Sequence, residues 1–493
     1  MADERRLSGG NSFGSIGLSA TTHVPCERAA IEAQRGQAFD AGRGVIWACV
    51  LGSSLSYLDG TVVNVALPAM ARDLETGSNG AQWIVNGYML PLAALVLLGG
   101  ALGDRFGRKR IFLAGTWAFA IGCAACALAP SLSALVVARL VQGLGAAMLV
   151  PSSLAILGEN FSGESRARAV GTWAAAGAIA GAVGPLLGGV LTDRLGWRTI
   201  FVALLPIAAL ALLIGQRSIP AHHDPHPAPL DLAGATLGSL GLGALTWGLT
   251  RISGGALAAG SGMAALGAVL LGIFIQVQHR KGERAMMPLS LFSSTAFTGV
   301  TLLTLLLYAA LGGLLFLLPI FLVARGWSAT QAGFAMLPFP LLMGAGSQVV
   351  GVWASKGKAY RWLTAGPVLT GIGLALLMRV PDDQVRYWQH VFPAMVVIGI
   401  GMTAAVAPLT NTVLSAVSQR YQGMASGVNN ATARVAGLVA VALAGLAFEH
   451  GTAMVSAANF RIGALVGAGM AVLAGLCGFL MVRNVDQVGR PAV

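Results

Sequence analysis

Residues 45–68 read VIWACVLGSSLSYLDGTVVNVALP, an apolar run that is interrupted by the carboxylate of Asp59. The stretch from Val45 to Ala66 is long enough to cross a bilayer as a helix. A carboxylate at the centre of such a helix costs roughly 2.5 to 3.5 kcal/mol on insertion scales, so it normally faces a bundle interior or a wet cavity. Asp59 is therefore the leading functional candidate. Our span assignments place no other acidic residue well inside a span.

The composition of the chain is that of a membrane protein. Hydrophobic residues make up 56% of the 493 residues and charged residues 10%, whereas soluble domains carry about 25% charged residues. Because an ordinary core cannot bury so much apolar surface, lipid is the expected solvent for most of the chain. The first 43 residues are polar and mixed in charge, which predicts a disordered tail and not a secretory signal.

Fourteen apolar runs are long enough, or nearly long enough, to cross a bilayer. Each must be a helix, because backbone groups in lipid have to satisfy one another and the runs are too long for barrel strands. The sequence therefore predicts an all-α polytopic membrane protein, in which the sixth run is unusually short. The runs are Val45–Ala66, Ala81–Gly103, Ile111–Ala129, Leu132–Leu157, Ala169–Leu191, Thr199–Gly215, Leu232–Leu249, Ala256–Val277, Ala296–Val323, Ala332–Val352, Leu363–Val380, Val391–Ser415, Ala425–Phe448 and Ile462–Val482.

The basic residues predict the orientation of the chain. An even number of spans puts both termini on one side, and loop Lys and Arg residues favour that side by roughly two to one. The positive-inside rule then places both termini in the cytoplasm of a cell whose plasma (inner) membrane holds the protein. The net charge of +12 is explained by this bias, so we expect no nucleic-acid partner.

The loop at residues 100–110 reads GALGDRFGRKR and carries more than a topology signal. A plain basic loop would explain its arginines but neither Asp104 nor Gly107. Asp104 can bond to backbone N–H groups at a helix N-terminus or pair with a nearby Arg, and a glycine lets a tight turn pass between packed helices. This stretch resembles the loop between the second and third spans of the major facilitator superfamily.

Three further motifs resemble the same superfamily. Arg139, Gln142, Gly143 and Gly145 resemble its fourth-span motif; Arg139 lies in an apolar run, so it should be paired or cavity-facing, with snorkelling from a span end as the alternative. The pattern Gly177-x-x-x-Gly181-x-x-Gly184-Pro185-x-x-Gly188-Gly189 resembles the fifth-span motif associated with antiporters. Leu58–Pro68 resembles the first-span motif of the fourteen-span drug:proton antiporters.

The resemblance implies a domain plan. It predicts the major facilitator fold, with two six-helix bundles related by a pseudo-two-fold axis along the membrane normal, plus two inserted helices. The segments are a tail at 1–43, a bundle at 44–217, a linker with the inserted pair at 218–291, a bundle at 292–482 and a tail at 483–493. In the matching loop of the second half, Gly351–Lys358, Ser355 stands where an aspartate is expected.

The residues indicate a proton-coupled carrier and not an enzyme. A desolvated carboxylate can exchange a proton near neutral pH, and the sequence contains no P-loop for ATP. We therefore expect export of small amphipathic or hydrophobic compounds by alternating access. Proton-coupled uptake of a solute and a non-transporting membrane sensor remain the alternatives. The expected partners are a small-molecule substrate, protons and the lipid bilayer, with a monomer as the working unit and no cofactor.

The resemblance and the polarity of the spans assign candidate roles. The predicted proton-coupling residues are Asp59 and Arg139. The predicted gating residues are Asp104, Arg105, Gly107, Arg108, Gly184 and Pro185. The predicted residues of the substrate cavity are Asn64, Asn86, Tyr88, Gln142, Asn411, Asn430 and Arg434. For each asparagine, hydrogen bonding between helices is an equally good interpretation.

Two other patterns predict little function. The tract His222-His223-Asp224-Pro225-His226 resembles a short metal-binding tract, but it lies in a proline-rich linker, so we expect no metal site. Cys123-x-x-Cys126 lies within the third span and predicts small packing residues.

Overall fold

The computed structural model of the protein describes residues 42–221, 230–355, 359–382, 384–418, 421–448 and 455–483. Almost all of them lie in helices joined by short turns, because every backbone polar group in lipid must be satisfied within the chain. The α-helices are α1 (Arg43–Asp73), α2 (Ser78–Phe106), α3 (Arg108–Ala127), α4 (Leu132–Asn160), α5 (Gly163–Leu195), α6 (Arg198–Ser218), α7 (Leu232–Ser253), α8 (Leu257–Lys281), α9 (Thr295–Ala324), α10 (Ala329–Met336), α11 (Pro338–Ser355), α12 (Ala359–Leu376), α13 (Phe392–Ser415), α14 (Gln422–Ala444) and α15 (Ala457–Cys477).

These helices confirm the prediction of an all-α polytopic membrane protein. In the described part of the chain, thirteen helices are each long and apolar enough to cross a membrane. The short sixth run becomes a helix of 21 residues, α6. The tenth predicted run, Ala332–Val352, falls on two consecutive helices, α10 and α11, which are separated at Leu337. The break has a local cause, because Pro338 cannot donate a backbone hydrogen bond.

The alternation of the helices defines two ends of the bundle. We call the end that holds the α2–α3 turn at Gly107 the Asp104 face. We call the end that holds the α5–α6 turn at Gly196 the Asp193 face. α1 begins at the Asp104 face and ends at the Asp193 face.

Glycines bring α2, α3 and α4 into close contact. A Cβ at Gly143 of α4 would lie 2.3 Å from the carbonyl oxygen of Tyr88 on α2. A Cβ at Gly122 of α3 would lie within 2.8 Å of the backbone of Gln142 on α4. Neither position has room for a methyl group, so these contacts require glycine. They fix where Arg139 and Gln142 project from α4.

The predicted inserted pair, α7 and α8, packs on the bundle through α7. Ala93 and Ala94 of α2, Leu242 of α7 and Leu438 of α14 form one buried cluster, so α7 lies where α2 meets α14. α8 packs on α7 at close glycine contacts, and a Cβ at Gly267 would lie 2.4 Å from the backbone nitrogen of Leu245.

Asp231 anchors the start of α7. Its buried carboxylate accepts hydrogen bonds from the Gly234 N–H at 2.8 Å, from Gln278 Nε2 at 2.7 Å and from the Met286 N–H at 3.1 Å. The Lys281 ammonium is also bonded to it. Burial raises the pKa of Asp231, but the bonds from Lys281, Gln278 and the two amides outweigh it and lower the pKa to about 2. The carboxylate is therefore charged at neutral pH and ties α7 to the segment that follows α8.

Several predictions concern residues outside the described ranges. The predicted disordered tail, up to residue 41, is one of them, as are the tract His222–His226 and the tail after Arg483. Lys356, Gly357 and Lys358 of the second-half loop also lie outside the described residues.

Candidate functional site

Asp59 and Arg139 form a buried ion pair between α1 and α4. Arg139 Nη1 lies 2.6 Å from Asp59 Oδ2, and the two side chains are 1% and 0% exposed. Asp59 is the seventeenth of the 31 residues of α1, so it lies near the middle of the helix. A buried pair costs desolvation on both charges and persists only with good geometry and further hydrogen bonds.

Gln142 completes the hydrogen bonding of the pair. Its Nε2 donates to Asp59 Oδ1 at 3.0 Å, and its Oε1 accepts from Arg139 Nη1 at 2.7 Å. The sulfur of Cys123 lies 3.1 Å from Gln142 Nε2, and that of Cys126 lies 3.7 Å from Gln142 Oε1. The two thiols, which the sequence suggested were packing residues only, therefore line the site on the α3 side.

α2 closes the opposite side of the ion pair. Arg139 Nε donates to the Ile84 carbonyl oxygen at 3.0 Å, and the guanidinium lies 4.5 Å from the ring centroid of Tyr88. The Tyr88 hydroxyl is 2.7 Å from Ser56 Oγ. The guanidinium is thus held by a carboxylate, an amide, a carbonyl and an aromatic face. In this arrangement both charged side chains are buried from solvent.

The predicted antiporter motif on α5 has two packing faces. Towards α1, a Cβ at Gly184 would lie 2.0 Å from Thr61 Oγ1, and one at Gly188 would lie 2.6 Å from the Val62 side chain. Towards α10, the Pro185 carbonyl oxygen lies 2.1 Å from the position of a Cβ on Gly333. The motif therefore lets α5 pack closely both on α1, the helix that carries Asp59, and on α10 of the second half.

Asp193, near the end of α5, joins this helix to the start of α10 at the Asp193 face. Its carboxylate accepts from the N–H groups of Ala329 at 3.1 Å and Thr330 at 2.7 Å, and from the Thr330 hydroxyl at 2.6 Å. A carboxylate on the first amides of a helix is favourable. Sequence reasoning missed this residue, because a single acidic side chain at a helix end carries no signal of its partner.

The predicted loop motif forms a cluster at the Asp104 face. Arg108 donates to Asp104 Oδ1 at 3.0 Å through Nη2, and to the Ala155 carbonyl oxygen of α4 at 3.0 Å through Nη1. Glu159 lies 3.4 Å from the same Nη1. Gly107 has φ of 95°, which favours glycine. Arg105 instead lies over the Phe106 ring, at 5.8 Å.

Aromatic residues and one arginine from both halves meet near the ion pair. Arg434 on α14 lies within electrostatic range of the hydroxyl groups of Tyr57 on α1, Tyr88 on α2 and Tyr308 on α9. Trp173 of α5 packs edge-on against Tyr57, with ring centroids 6.3 Å apart. We call Tyr57, Trp173, Tyr308 and Arg434 the aromatic chamber. Of these, only Arg434 was a candidate from sequence.

The remaining predicted cavity residues differ in burial and in hydrogen bonding. Asn64 donates to the Gly60 carbonyl oxygen of its own helix at 3.3 Å. Asn86 is fully buried. Asn411 and Asn430 are exposed. Gln142, which was predicted to line the cavity, is buried in the ion-pair network. Within the described ranges, no group of three or more His, Cys, Asp or Glu side chains could hold a metal ion.

Comparison with known proteins identifies the family. The profile of the Major Facilitator Superfamily matches residues 49–441 and, overlapping them, 300–492. The chain therefore belongs to the major facilitator superfamily.

Two relatives illustrate the similarity. The methylenomycin A resistance protein of Bacillus subtilis is 32% identical over 422 residues, which cover 85% of this chain and 90% of the relative. The puromycin resistance protein pur8 of Streptomyces alboniger is 35% identical over 396 residues, which cover 79% and 78%. A crystal structure of a POT family transporter in complex with a thioalcohol-conjugated peptide has a TM-score of 0.70 at 15% identity, over 91% of this chain and 97% of that one. This structural match supports the major facilitator fold alone.

Proposed function

We propose that this protein is a proton-coupled antiporter that exports small amphipathic or hydrophobic compounds, including antibiotics. The observation that carries the proposal is the dry ion pair of Asp59 and Arg139, 2.6 Å apart and held by Gln142. A buried carboxylate inside a membrane protein marks an ion or substrate path. The relatives that are named for resistance to methylenomycin A and puromycin support export as the direction.

The geometry suggests how proton and substrate could exchange. Protonation of Asp59 neutralises its carboxylate, so the Arg139 guanidinium loses its strongest partner. One member of the pair, Asp59, belongs to α1, and α5 packs on this same helix at Gly184 and Gly188. A change at the pair can therefore reach the contact of α5 with α10. In this scheme a proton that enters from the Asp193 face binds Asp59 as the substrate leaves there. The protonated carrier then favours the conformation that is open at the Asp104 face, where the proton is released.

The aromatic chamber supports a choice of substrate class. Arg434 makes no ion pair in the described part of the chain, while the Asp59 carboxylate is already neutralised by Arg139. The chamber therefore offers aromatic faces and one positive charge. Planar neutral or anionic compounds fit this environment better than doubly charged cations.

We propose the following organisation in the membrane. The two six-helix bundles comprise 44–217 and 292–482, with the inserted pair between them. The Asp104 face is cytoplasmic, because the basic loops lie there. The working unit is a monomer.

Transport in a defined system tests the proposed function. A panel of toxic compounds in an efflux-deficient host should give at least one compound to which the chain confers resistance. The purified protein in proteoliposomes should then move that compound against its gradient when a pH difference is imposed, and an uncoupler should stop it. Binding without flux would support a sensor. Flux in the same direction as the proton would support uptake by symport.

Asp104→Asn should lower turnover more than it lowers substrate affinity. Asp104 holds Arg108 against α4 at the Asp104 face, far from the aromatic chamber, so its charge should favour one conformation over the other. We expect a fall in transport rate of up to about fivefold, since a partly exposed ion pair of this kind contributes roughly 0.2 to 1 kcal/mol. Initial rates over a range of substrate concentrations separate the two effects. Loss of binding alone would contradict the gating role.

A further inference from the structure

A cavity of about 390 Å³ opens on the Asp193 face beside the inserted helix α7. It is lined by the first turn of α2, by Leu132 at the start of α4 and by the last turn of α7. Its volume lies within the range of small-ligand sites. The transport scheme above makes no use of it.

Buried polar groups without partners concentrate at this cavity and beneath it. Thr250 and Asn79 are lining residues of the cavity, and the buried Thr250 hydroxyl and Asn79 amide oxygen have no hydrogen-bond partner among the described residues. Thr250 is only 1% exposed. Deeper along the same two helices, Thr246, Gln82 and Asn86 also carry buried polar atoms without a protein partner. Native structures leave few such groups without a hydrogen-bond partner, so these unpartnered groups indicate that a polar ligand binds in the cavity.

The charge around the cavity is positive. Arg251 is an exposed lining residue, and no acidic side chain of the described residues lines the cavity with it. The neighbouring helix α2 starts after Gly77, which provides no side-chain cap. The first amides of α2 therefore add the positive end of a helix dipole. An uncapped helix start beside an arginine favours an oxyanion.

Two tryptophans indicate the depth of the cavity in the bilayer. Trp83 and Trp247 line it within two turns of the ends of α2 and α7. Tryptophan near helix ends is typical of the headgroup layer of a bilayer. The oxyanion available at that level is the phosphate of a phospholipid. The Asn79 amide oxygen in addition needs a hydrogen-bond donor, which a glycerol or ethanolamine headgroup supplies and a choline headgroup does not.

We propose that this cavity binds the headgroup of a phospholipid. Arg251 and the start of α2 hold the phosphate, while Asn79 and Thr250 bond to the hydroxyl or ammonium group beyond it. The bound lipid joins the inserted helix α7 to α2. This site depends on the placement of the chain in a membrane and is independent of the transported compound.

Native mass spectrometry of the full chain tests the site. The probes are phosphatidylglycerol, phosphatidylcholine with the same acyl chains, and inorganic phosphate. We expect retention of phosphatidylglycerol and roughly tenfold weaker retention in Arg251→Gln, because a charge-assisted bond is lost. Thr250→Val should weaken it severalfold and should fold, since it removes an unpartnered hydroxyl at nearly constant shape. Arg194→Gln, which changes an exposed arginine of the same face outside the cavity, is the matched control and should bind as the wild type does.

The possible outcomes separate lipid from soluble anion. Retention of both lipids to the same extent, or retention that Arg251→Gln does not change, would overturn the proposal. Binding of inorganic phosphate that phosphatidylglycerol fails to displace would assign the site to a soluble anion and show the lipid to be wrong. Because the measurement involves no transport, failure of the proposed antiport would leave its result unaffected.

Discussion

Asp59→Asn abolishes the accumulation of substrate against its gradient, if Asp59 is the group that exchanges the proton. A proton that crosses about 150 mV releases roughly 3.5 kcal/mol, enough to maintain a gradient of a few hundred-fold for a neutral solute. The variant should reach a ratio near one, while downhill exchange continues, because alternating access belongs to the two bundles. The measurement is flux in proteoliposomes with and without an imposed pH difference. A variant that still concentrates substrate would place the coupling group elsewhere.

The ion pair makes a second substitution necessary as a control. Asp59→Asn leaves the Arg139 charge buried without its counter-charge, and breaking a buried pair costs about 3 to 5 kcal/mol. Arg139→Gln strands the carboxylate in the same way. The double variant Asp59→Asn with Arg139→Gln removes both charges. It should unfold at a higher temperature than either single variant and still fail to couple. If the double variant were no more stable than the singles, the ion pair would not dominate the local energetics.

The sequence predicted the spans because composition alone carries that information, but it did not give the ends of the helices. α1 continues to Asp73, seven residues beyond the apolar run that ends at Ala66, since a helix can extend into polar surroundings. The break before Pro338 was readable in principle, because proline removes a backbone donor. The apolar content of the run, on which the span was assigned, did not indicate this break.

The site was predictable one residue at a time and not as an arrangement. The cost of a buried charge singled out Asp59 and Arg139 separately, but their pairing across 80 positions depends on how α1 packs on α4. Gln142, a residue of the fourth-span motif, was predicted to line the substrate cavity. Its side-chain amide is instead hydrogen-bonded to both members of the ion pair, Asp59 and Arg139. The sequence did not indicate the contacts of Cys123 or Asp193, since buried thiols commonly serve only in packing and acidic residues are common at helix ends.

Gly189→Ala is expected to hold the Asp193 face open. In the closed arrangement a Cβ at Gly189 would lie 2.4 Å from the Ala329 carbonyl oxygen and 2.6 Å from the Thr330 Cα, so backbone would have to move. Such overpacking costs about 1 to 3 kcal/mol. The closed conformation should therefore lose roughly 5- to 150-fold in population relative to the open one. Gly181→Ala is the matched control, because it lies on the same helix and nothing lies within 4 Å of its Cβ position.

Two measurements distinguish the effect of Gly189→Ala from a defect at the ion pair: the accessibility of α10 to a labelling reagent, and the number of protons exchanged per substrate molecule. Ala332→Cys introduces a thiol at a fully buried position of α10, and an impermeant maleimide added outside should label it faster when Gly189→Ala is also present. Transport should slow by a similar factor, yet each substrate molecule should still exchange with the same number of protons, because Asp59 and Arg139 are intact. Asp59→Asn, which resembles the protonated carboxyl, should not raise the labelling rate, but it should abolish the fixed ratio of protons to substrate. Labelling and transport at wild-type rates in Gly189→Ala would show that α5 and α10 do not separate during the cycle, and that the substrate leaves by another route.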